Sequence, residues 1–183
     1  MPAAEAGSLQ LVFGASGYIG THLVPRLLAA GKRVRASARN VEVLEARDWP
    51  GVACTAADAL RPETLAAVLQ GVDVAYYLVH SMAAGRGFGA LDREAARNFG
   101  AAAAAAGVRR IVYLGGLGDD ADPKLSPHLR SRHEVGSILR ASGVETVEFR
   151  ASLVIGTGSL SFHLVKALTD PLPVTLCPRW LTT

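Results

Sequence analysis

Short apolar runs alternate with segments of helical periodicity along most of the chain. In one such segment Ile19, Leu23 and Leu27 recur every four residues, which is the spacing of one helical face. The apolar runs carry few polar positions on either face, which is typical of parallel strands covered by helices on both sides. The pattern therefore predicts an α/β domain built on a doubly wound parallel sheet. The six predicted strands are 9–13, 33–38, 52–56, 72–79, 109–114 and 144–150.

The predicted helices have recognisable start and stop residues. Ser126 and Pro127 are typical of an N-cap and a first helical position. Pro25 lies inside the first helix, where we expect a tolerated kink. Glycines end the helices, because glycine readily adopts the left-handed conformation at a helix C-terminus. The stops are Gly31, Gly71, Gly107 and Gly143, and the three later helices span 61–71, 91–107 and 126–143.

The domain organisation follows from this order of elements. Residues 1–150 contain no repeat and no long linker, so we expect one domain there. Residues 151–183 supply one further helix and at most one strand, which predicts a partial segment on the substrate side. Either the chain is a fragment of a longer protein, or loops or a second subunit complete the pocket. A missing lobe would expose apolar surface and favour a homo-oligomer.

Composition narrows the class of protein. Half of the residues are hydrophobic and 19% are charged, which excludes a disordered chain. The net charge of +3 is mild and the basic residues are scattered, so nucleic acid is not an expected partner. Cys54 and Cys177 lie far apart with no ligand cluster, which predicts no metal site and a reducing, cytoplasmic location. No apolar run is long enough to span a membrane.

The first strand is followed by three glycines, each three residues from the next. Gly14 permits the turn, Gly17 lets the backbone approach a pyrophosphate, and Gly20 lets helix and strand pack closely. The N–H groups and positive dipole end of the helix then face the phosphates. The alternative is a tight strand-to-helix turn that binds nothing. In this context the motif predicts a Rossmann-type NAD(P)-binding domain whose contact residues include Ser16, Tyr18 and Ile19.

The end of the second strand bears on the choice of cofactor. An NAD site usually places an acid there for the ribose 2′-hydroxyl, and no acid occurs between Arg35 and Asn40. The guanidinium of Arg39, with Arg35 as a helper, suits a 2′-phosphate instead. The sequence therefore favours NADP(H) over NAD(H). The alternative for Arg39 is a solvated surface arginine.

These motifs resemble the short-chain dehydrogenase/reductase superfamily in its atypical and extended branches, which include NmrA-like proteins. The resemblance implies that Asp58 contacts the adenine, that Ala59 belongs to the cofactor site, and that Leu78, Val79 and His80 line the cofactor. The alternatives are a helix-capping carboxylate for Asp58 and strand-end packing for the last three. The matching segments are VFGASGYIG at 12–20, AAD at 56–58, AGVRRIVYLGGLG at 106–118 and FRASLVIGTG at 149–158, together with Arg39.

The catalytic residues of the family are replaced here. Family reductases use a serine and a Tyr-x-x-x-Lys pair, in which the cation makes the tyrosine a usable acid–base at neutral pH. In this chain His128 and Arg132 stand at the tyrosine and lysine positions, and the serine aligns with Gly115 or Gly116.

Two functions are compatible with this replacement. In an oxidoreductase acting on an unknown small molecule, His128 would transfer a proton and Arg132 would hold the ribose. His80 and Arg150 would bind polar groups of the substrate. In an NmrA-like regulator that senses NADP(H) and docks on a protein, the HLRSR stretch at 128–132 is only a solvated first turn. Asp92, with Arg93 beside it, is either a pocket residue or a helix-end charge that the dipole favours.

Overall fold

The computed structural model describes residues 7–80, 87–152, 154–156, 158–159, 162–163 and 166–167. The chain divides into two compact units, residues 1–150 and 151–183. Most of the predicted substrate-side segment, and Cys177 with it, lies outside the described residues. Strands are β1 Leu9–Phe13, β2 Arg33–Ala38, β3 Ala53–Ala56, β4 Val72–Tyr77, β5 Arg110–Gly116 and β6 Glu145–Ala151; helices are α1 Tyr18–Ala29, α2 Glu42–Glu45, α3 Leu65–Leu69, α4 Phe88–Ala105 and α5 Pro127–Arg140.

The strands form one six-stranded sheet in the order β3-β2-β1-β4-β5-β6. The pairs β1–β2, β1–β4, β2–β3 and β4–β5 are all parallel. This order confirms the predicted doubly wound, Rossmann-type sheet. Strand order reverses between β1 and β4, and ligands of such sheets bind at the carboxyl ends of the strands beside that reversal.

Each face of the sheet is covered by its own apolar core. On one face Phe13, Tyr77 and Phe99 belong to a cluster that includes residues of α3, α4 and α5. On the other face Val12 and Ala36 pack with residues of α1 and α2. Since strand side chains alternate between faces, the two clusters explain why β1 and β4 are mostly apolar on both faces.

Several element boundaries differ from the predicted ones. The helix predicted over 61–71 is a 3₁₀ turn, Pro62–Thr64, followed by the short helix α3. The Thr64 hydroxyl lies 2.7 Å from the Arg61 carbonyl oxygen, which stabilises the tighter turn. α4 begins at Phe88, before the predicted Leu91. The short helix α2 was not predicted.

Pro25 lies within α1, and its side chain is exposed. A proline on the outer face leaves the carbonyl of Thr21 on the side of the helix that water can reach, so the missing hydrogen bond is tolerated. Among the described residues, no helix is both long enough and apolar enough to cross a bilayer.

Candidate functional site

A cleft of about 190 Å³ opens at the carboxyl ends of β1, β2 and β4. It lies where the strand order reverses, as expected for a ligand site in this type of sheet. Ten of the predicted site residues line it: Gly14, Ser16, Gly17, Arg39, Asp58, Ala59, Leu78, Val79, His80 and Asp92. Tyr18, Ile19 and Gly20 lie in the adjoining first turn of α1. Lining residues that the sequence analysis missed are Phe13, Ala38, Ala57, Leu60, Tyr77 and Ala95.

Gly14 and Gly20 are required by the protein itself. Gly14 has a φ of +94°, and a Cβ there would lie 2.9 Å from Cγ1 of Val79. A Cβ on Gly20 would lie 2.5 Å from the Cα of Ala15, because α1 passes directly against the preceding turn. Both positions exclude side chains through conformation or packing.

Gly17 is different, because nothing in the described chain excludes a side chain there. Its φ is −74°, which any residue adopts. A Cβ would meet only the Gly14 carbonyl oxygen, at 3.4 Å. The residue is exposed and lines the cleft. Glycine at this position fits close approach of a ligand to the backbone.

The backbone around Gly17 is suited to an anion. No side chain caps the N-terminus of α1, and no acidic residue lies in its first turn. The first N–H groups of a helix have no acceptor inside the helix, and they carry the positive end of its dipole. The preceding turn is held against β2, since Gly14 N and Ala15 N both donate to the Ser37 carbonyl oxygen at 2.9 Å. A pyrophosphate fits this preformed arrangement.

Arg39 and Arg35 have separate roles. Arg39 follows β2, is exposed at the cleft, and has no ion-pair or hydrogen-bond partner among the described residues. Arg35 instead donates through Nη1 to the carbonyl oxygens of Val68 at 2.7 Å and Gln70 at 2.9 Å. Its guanidinium therefore caps the C-terminal end of α3, and the expectation that Arg35 assists Arg39 is wrong.

Asp58 both makes a hydrogen bond within the protein and lines the cleft. Its Oδ1 accepts a hydrogen bond from Leu60 N at 3.0 Å, so the residue stabilises the turn after β3. Asp58 also lines the cleft. The capping alternative and a cofactor contact are therefore compatible.

Asp92 is a buried residue of α4 that lines the cleft, and it accepts a hydrogen bond from Ser131 Oγ at 3.0 Å. Because α4 starts at Phe88, Asp92 lies beyond the first turn, and the helix dipole does not explain it. Arg93 points elsewhere, to Glu134 Oε2 at 2.8 Å.

His80, His128 and Arg132 lie close enough to influence one another. Partial burial lowers the pKa of both histidines, and the positive charge of Arg132 lowers it further. The charge of Asp92 opposes this effect on both rings. Nδ1 of His128 is buried with no hydrogen-bond partner among the described residues. The site therefore holds two imidazoles that favour the neutral form.

Arg132 is buried, and its guanidinium donates hydrogen bonds to backbone carbonyl oxygens. Its Nη1 donates to the Val79 carbonyl at 3.4 Å and its Nη2 to the Leu114 carbonyl, so it joins the ends of β4 and β5. Its guanidinium also lies 4.9 Å from the ring centre of Tyr113. His128 and Arg132 do not line the cleft.

Side chains from other elements occupy the space beside the two glycines at the family's serine position. A Cβ on Gly115 would clash with Oε1 of Glu148, and one on Gly116 would meet Cδ2 of Leu129 at 2.5 Å. Glu148 is itself buried and paired with Arg140 and, at 3.2 Å, with Arg150 Nε. A serine side chain would need these neighbours to move.

Arg150 lies away from the cleft lining. Besides Glu148, its guanidinium contacts the Gly118 carbonyl at 3.4 Å and Asp120 Oδ2 at 3.3 Å. These contacts hold the loop after β5 against β6. No group of side chains suited to a metal ion occurs in the described part of the chain.

Comparison with known proteins agrees with the cleft geometry. A model of the NAD(P)H-binding family matches residues 14–154. No curated protein matches the chain. The chain spans about half the length of the solved structures that it resembles.

Three of these structures have well-superposed folds. The triphenylmethane reductase of Citrobacter sp., complexed with NADP(H), has a TM-score of 0.70 at 24% identity over 89% of this chain and 55% of that one. A mutant NmrA has a TM-score of 0.66 at 20% identity over 79% and 45%. The NADPH-dependent quinone oxidoreductase QOR2 of Escherichia coli, complexed with NADPH, has a TM-score of 0.63 at 28% identity over 78% and 48%. The chain belongs to the NAD(P)H-binding family.

Proposed function

We propose that the chain is an NADP(H)-dependent oxidoreductase that acts on a small molecule. The observation that carries the binding part is the start of α1 beside Gly17, where no side chain caps the helix and a Cβ would meet only the Gly14 carbonyl oxygen, which leaves room for a ligand. The dinucleotide would place its pyrophosphate there and extend along the ends of β2 and β4.

Arg39 supports the preference for NADP(H). It is a cation at the end of β2, exposed at the cleft and unpaired among the described residues. A free guanidinium binds a phosphate through charge-assisted, bidentate hydrogen bonds, whereas it gains less from a ribose hydroxyl.

The histidines support a proton-transfer role. The nicotinamide supplies hydride chemistry when bound. An imidazole kept near the neutral form can accept a proton from an alcohol that is being oxidised, and its protonated form can return the proton in the reverse direction. His128, with its unpartnered Nδ1, and His80 are the groups proposed for this step, and burial together with the charge of Arg132 lowers the pKa of both.

Calorimetric titration of the protein with NADPH and NADH tests the binding part. We expect NADPH to bind more tightly than NADH. Arg39→Met should weaken NADPH binding by about 10- to 100-fold, since a charge-assisted bond contributes roughly 1.5–3 kcal/mol, and should change NADH binding little.

Arg35→Met is the matched control, because Arg35 belongs to β2, the strand that Arg39 follows, but caps α3. It should lower the melting temperature and leave the NADPH affinity unchanged. Equal losses of NADPH and NADH affinity in Arg39→Met would remove the 2′-phosphate assignment.

Turnover is tested by NADPH oxidation with quinones and triphenylmethane dyes, which are the substrate classes named for two structural neighbours. We expect oxidation of NADPH with at least one acceptor class and a loss of the rate in His128→Asn without loss of NADPH affinity. Tight binding with no turnover across carbonyl, quinone and dye acceptors would favour a regulatory NADP(H)-sensing domain instead.

A further inference from the structure

Tyr77 is the last residue of β4, and it has a polar group with no evident structural use. Its side chain is only 1% exposed, and its ring packs against Phe99 with centroids 4.8 Å apart. Phe13 stacks nearby at 6.0 Å. On these contacts alone Tyr77 is a core residue, and phenylalanine would serve equally well.

The hydroxyl of Tyr77 makes no hydrogen bond with any described residue, although Tyr77 lines the cleft. Tyr113, the neighbouring buried tyrosine on β5, shows the usual behaviour, since its hydroxyl donates to the Arg132 carbonyl oxygen at 2.9 Å. A buried phenol normally finds a partner, because leaving it unpaired costs free energy. Because Tyr77 lines the cleft, a group bound there can supply a partner for its hydroxyl.

The charges around Tyr77 indicate what kind of group that partner is. Asp58 and Asp92 line the same cleft, and burial together with the charge of Asp92 raises the pKa of Tyr77, so the phenol stays neutral. Two carboxylates repel a phosphate and accept hydrogen bonds from hydroxyl and amine groups. Phosphate groups are favoured instead by the start of α1 and by Arg39.

We propose that the Tyr77 hydroxyl hydrogen-bonds an uncharged, hydroxyl- or amine-bearing part of the bound dinucleotide, such as a ribose hydroxyl or the base amine. Tyr77 is then a binding residue of the cleft as well as a core residue. This assignment rests on the proposed NADP(H) binding. It gives the cleft two chemically distinct regions, a cationic one for phosphates and an acidic one for sugar or base.

The test compares Tyr77→Phe with Tyr76→Phe. Tyr76 precedes Tyr77 on β4, packs against the cluster on the opposite face of the sheet, and does not line the cleft. Each substitution removes one hydroxyl and keeps the ring. Calorimetry with NADPH and thermal melting of the ligand-free protein are the measurements.

We expect Tyr77→Phe to weaken NADPH binding by about 3- to 10-fold, the usual contribution of one hydrogen bond. Its melting temperature without ligand should equal or exceed that of the wild type, because no bond within the protein is lost. Tyr76→Phe should keep the wild-type affinity. The affinity ratio between wild type and Tyr77→Phe should not change when the salt concentration is raised, because the contact carries no net charge.

Three results would overturn the proposal while wild-type NADPH binding stands: an unchanged affinity in Tyr77→Phe, a lower melting temperature that shows an internal partner, or a salt-dependent affinity ratio that shows a charged one. If the wild-type protein binds neither NADPH nor NADH, the proposed function fails and the assignment of Tyr77 fails with it.

Discussion

At the scale of single residues, three equally spaced glycines have different physical reasons to be glycine. Gly14 is set by its left-handed backbone, Gly20 by contact with Ala15, and Gly17 by neither. The motif combines two positions that the fold requires with one that a ligand explains. Substitution can separate these reasons.

Gly20→Ala should destabilise the protein, because the added Cβ lies against backbone atoms that cannot move aside. Overpacking of this kind costs roughly 1–3 kcal/mol of unfolding free energy. Chemical denaturation of the ligand-free variant measures it.

Gly17→Ala is the matched variant at the next glycine. It should change the unfolding free energy by less than about 1 kcal/mol, since no atom crowds the site and alanine is only a weaker N-cap. NADPH affinity should nevertheless fall by at least about tenfold, because the methyl group occupies the approach to the backbone. An unchanged affinity would show that the turn binds nothing.

At the scale of elements, α5 holds the ends of two strands through one buried guanidinium. Arg132 reaches from α5 to the Val79 and Leu114 carbonyls, and Tyr113 on β5 returns a hydrogen bond to the backbone of Arg132. The same charge acts on His80 and His128. Packing of α5 and the protonation of the site are therefore linked.

Arg132→Met should raise the pKa of both His80 and His128, because it removes a positive charge that disfavours their protonation. Both values should stay below that of free histidine, since burial remains. NMR titration of the imidazole resonances is the measurement. Arg150→Met, whose charge is not among those acting on either ring, should leave both unchanged.

At the scale of the whole molecule, the two histidines make stability depend on pH. Their pKa is lowered in the native state from the ordinary value of 6.5, so below pH 6.5 the unfolded chain binds more protons than the native one. The contribution of the two histidines to the free energy of unfolding should therefore be complete above pH 6.5. It should be lost as the pH falls through their native pKa values.

Thermal melting between about pH 7 and 5 tests this dependence, in the range set by the ordinary histidine value. The double variant His80→Gln, His128→Gln should show a shallower decline than the wild type. Asp73 and Asp120, whose pKa values are lowered from 3.8 by arginine contacts, lose their contribution only in more acidic solution. An identical decline in wild type and double variant would show that other groups control it.

Sequence patterns predicted most of this architecture correctly, and the errors have local causes. The boundaries of β1 and β2 were predicted as observed, since glycine or polar residues flank their apolar runs. The single helix predicted over 61–71 failed because Pro62 and Thr64 favour a 3₁₀ start. β5 continues through Gly115 and Gly116, beyond its predicted end at residue 114, and Glu148 and Leu129 fill the space beside these glycines, which no local pattern reveals.

The sequence by itself determined the alternation of strand and helix and the glycine turn, because hydrophobic period, caps and glycine spacing are local properties of the chain. Only the tertiary structure decided that Arg39 lines the cleft while Arg35 caps α3, and that a core tyrosine lines the cleft as well. It also decided that His80 lies near enough to Arg132 to feel its charge. These depend on which side chains from distant segments meet, and pairings of that kind are set by packing across the sheet rather than by neighbours in sequence.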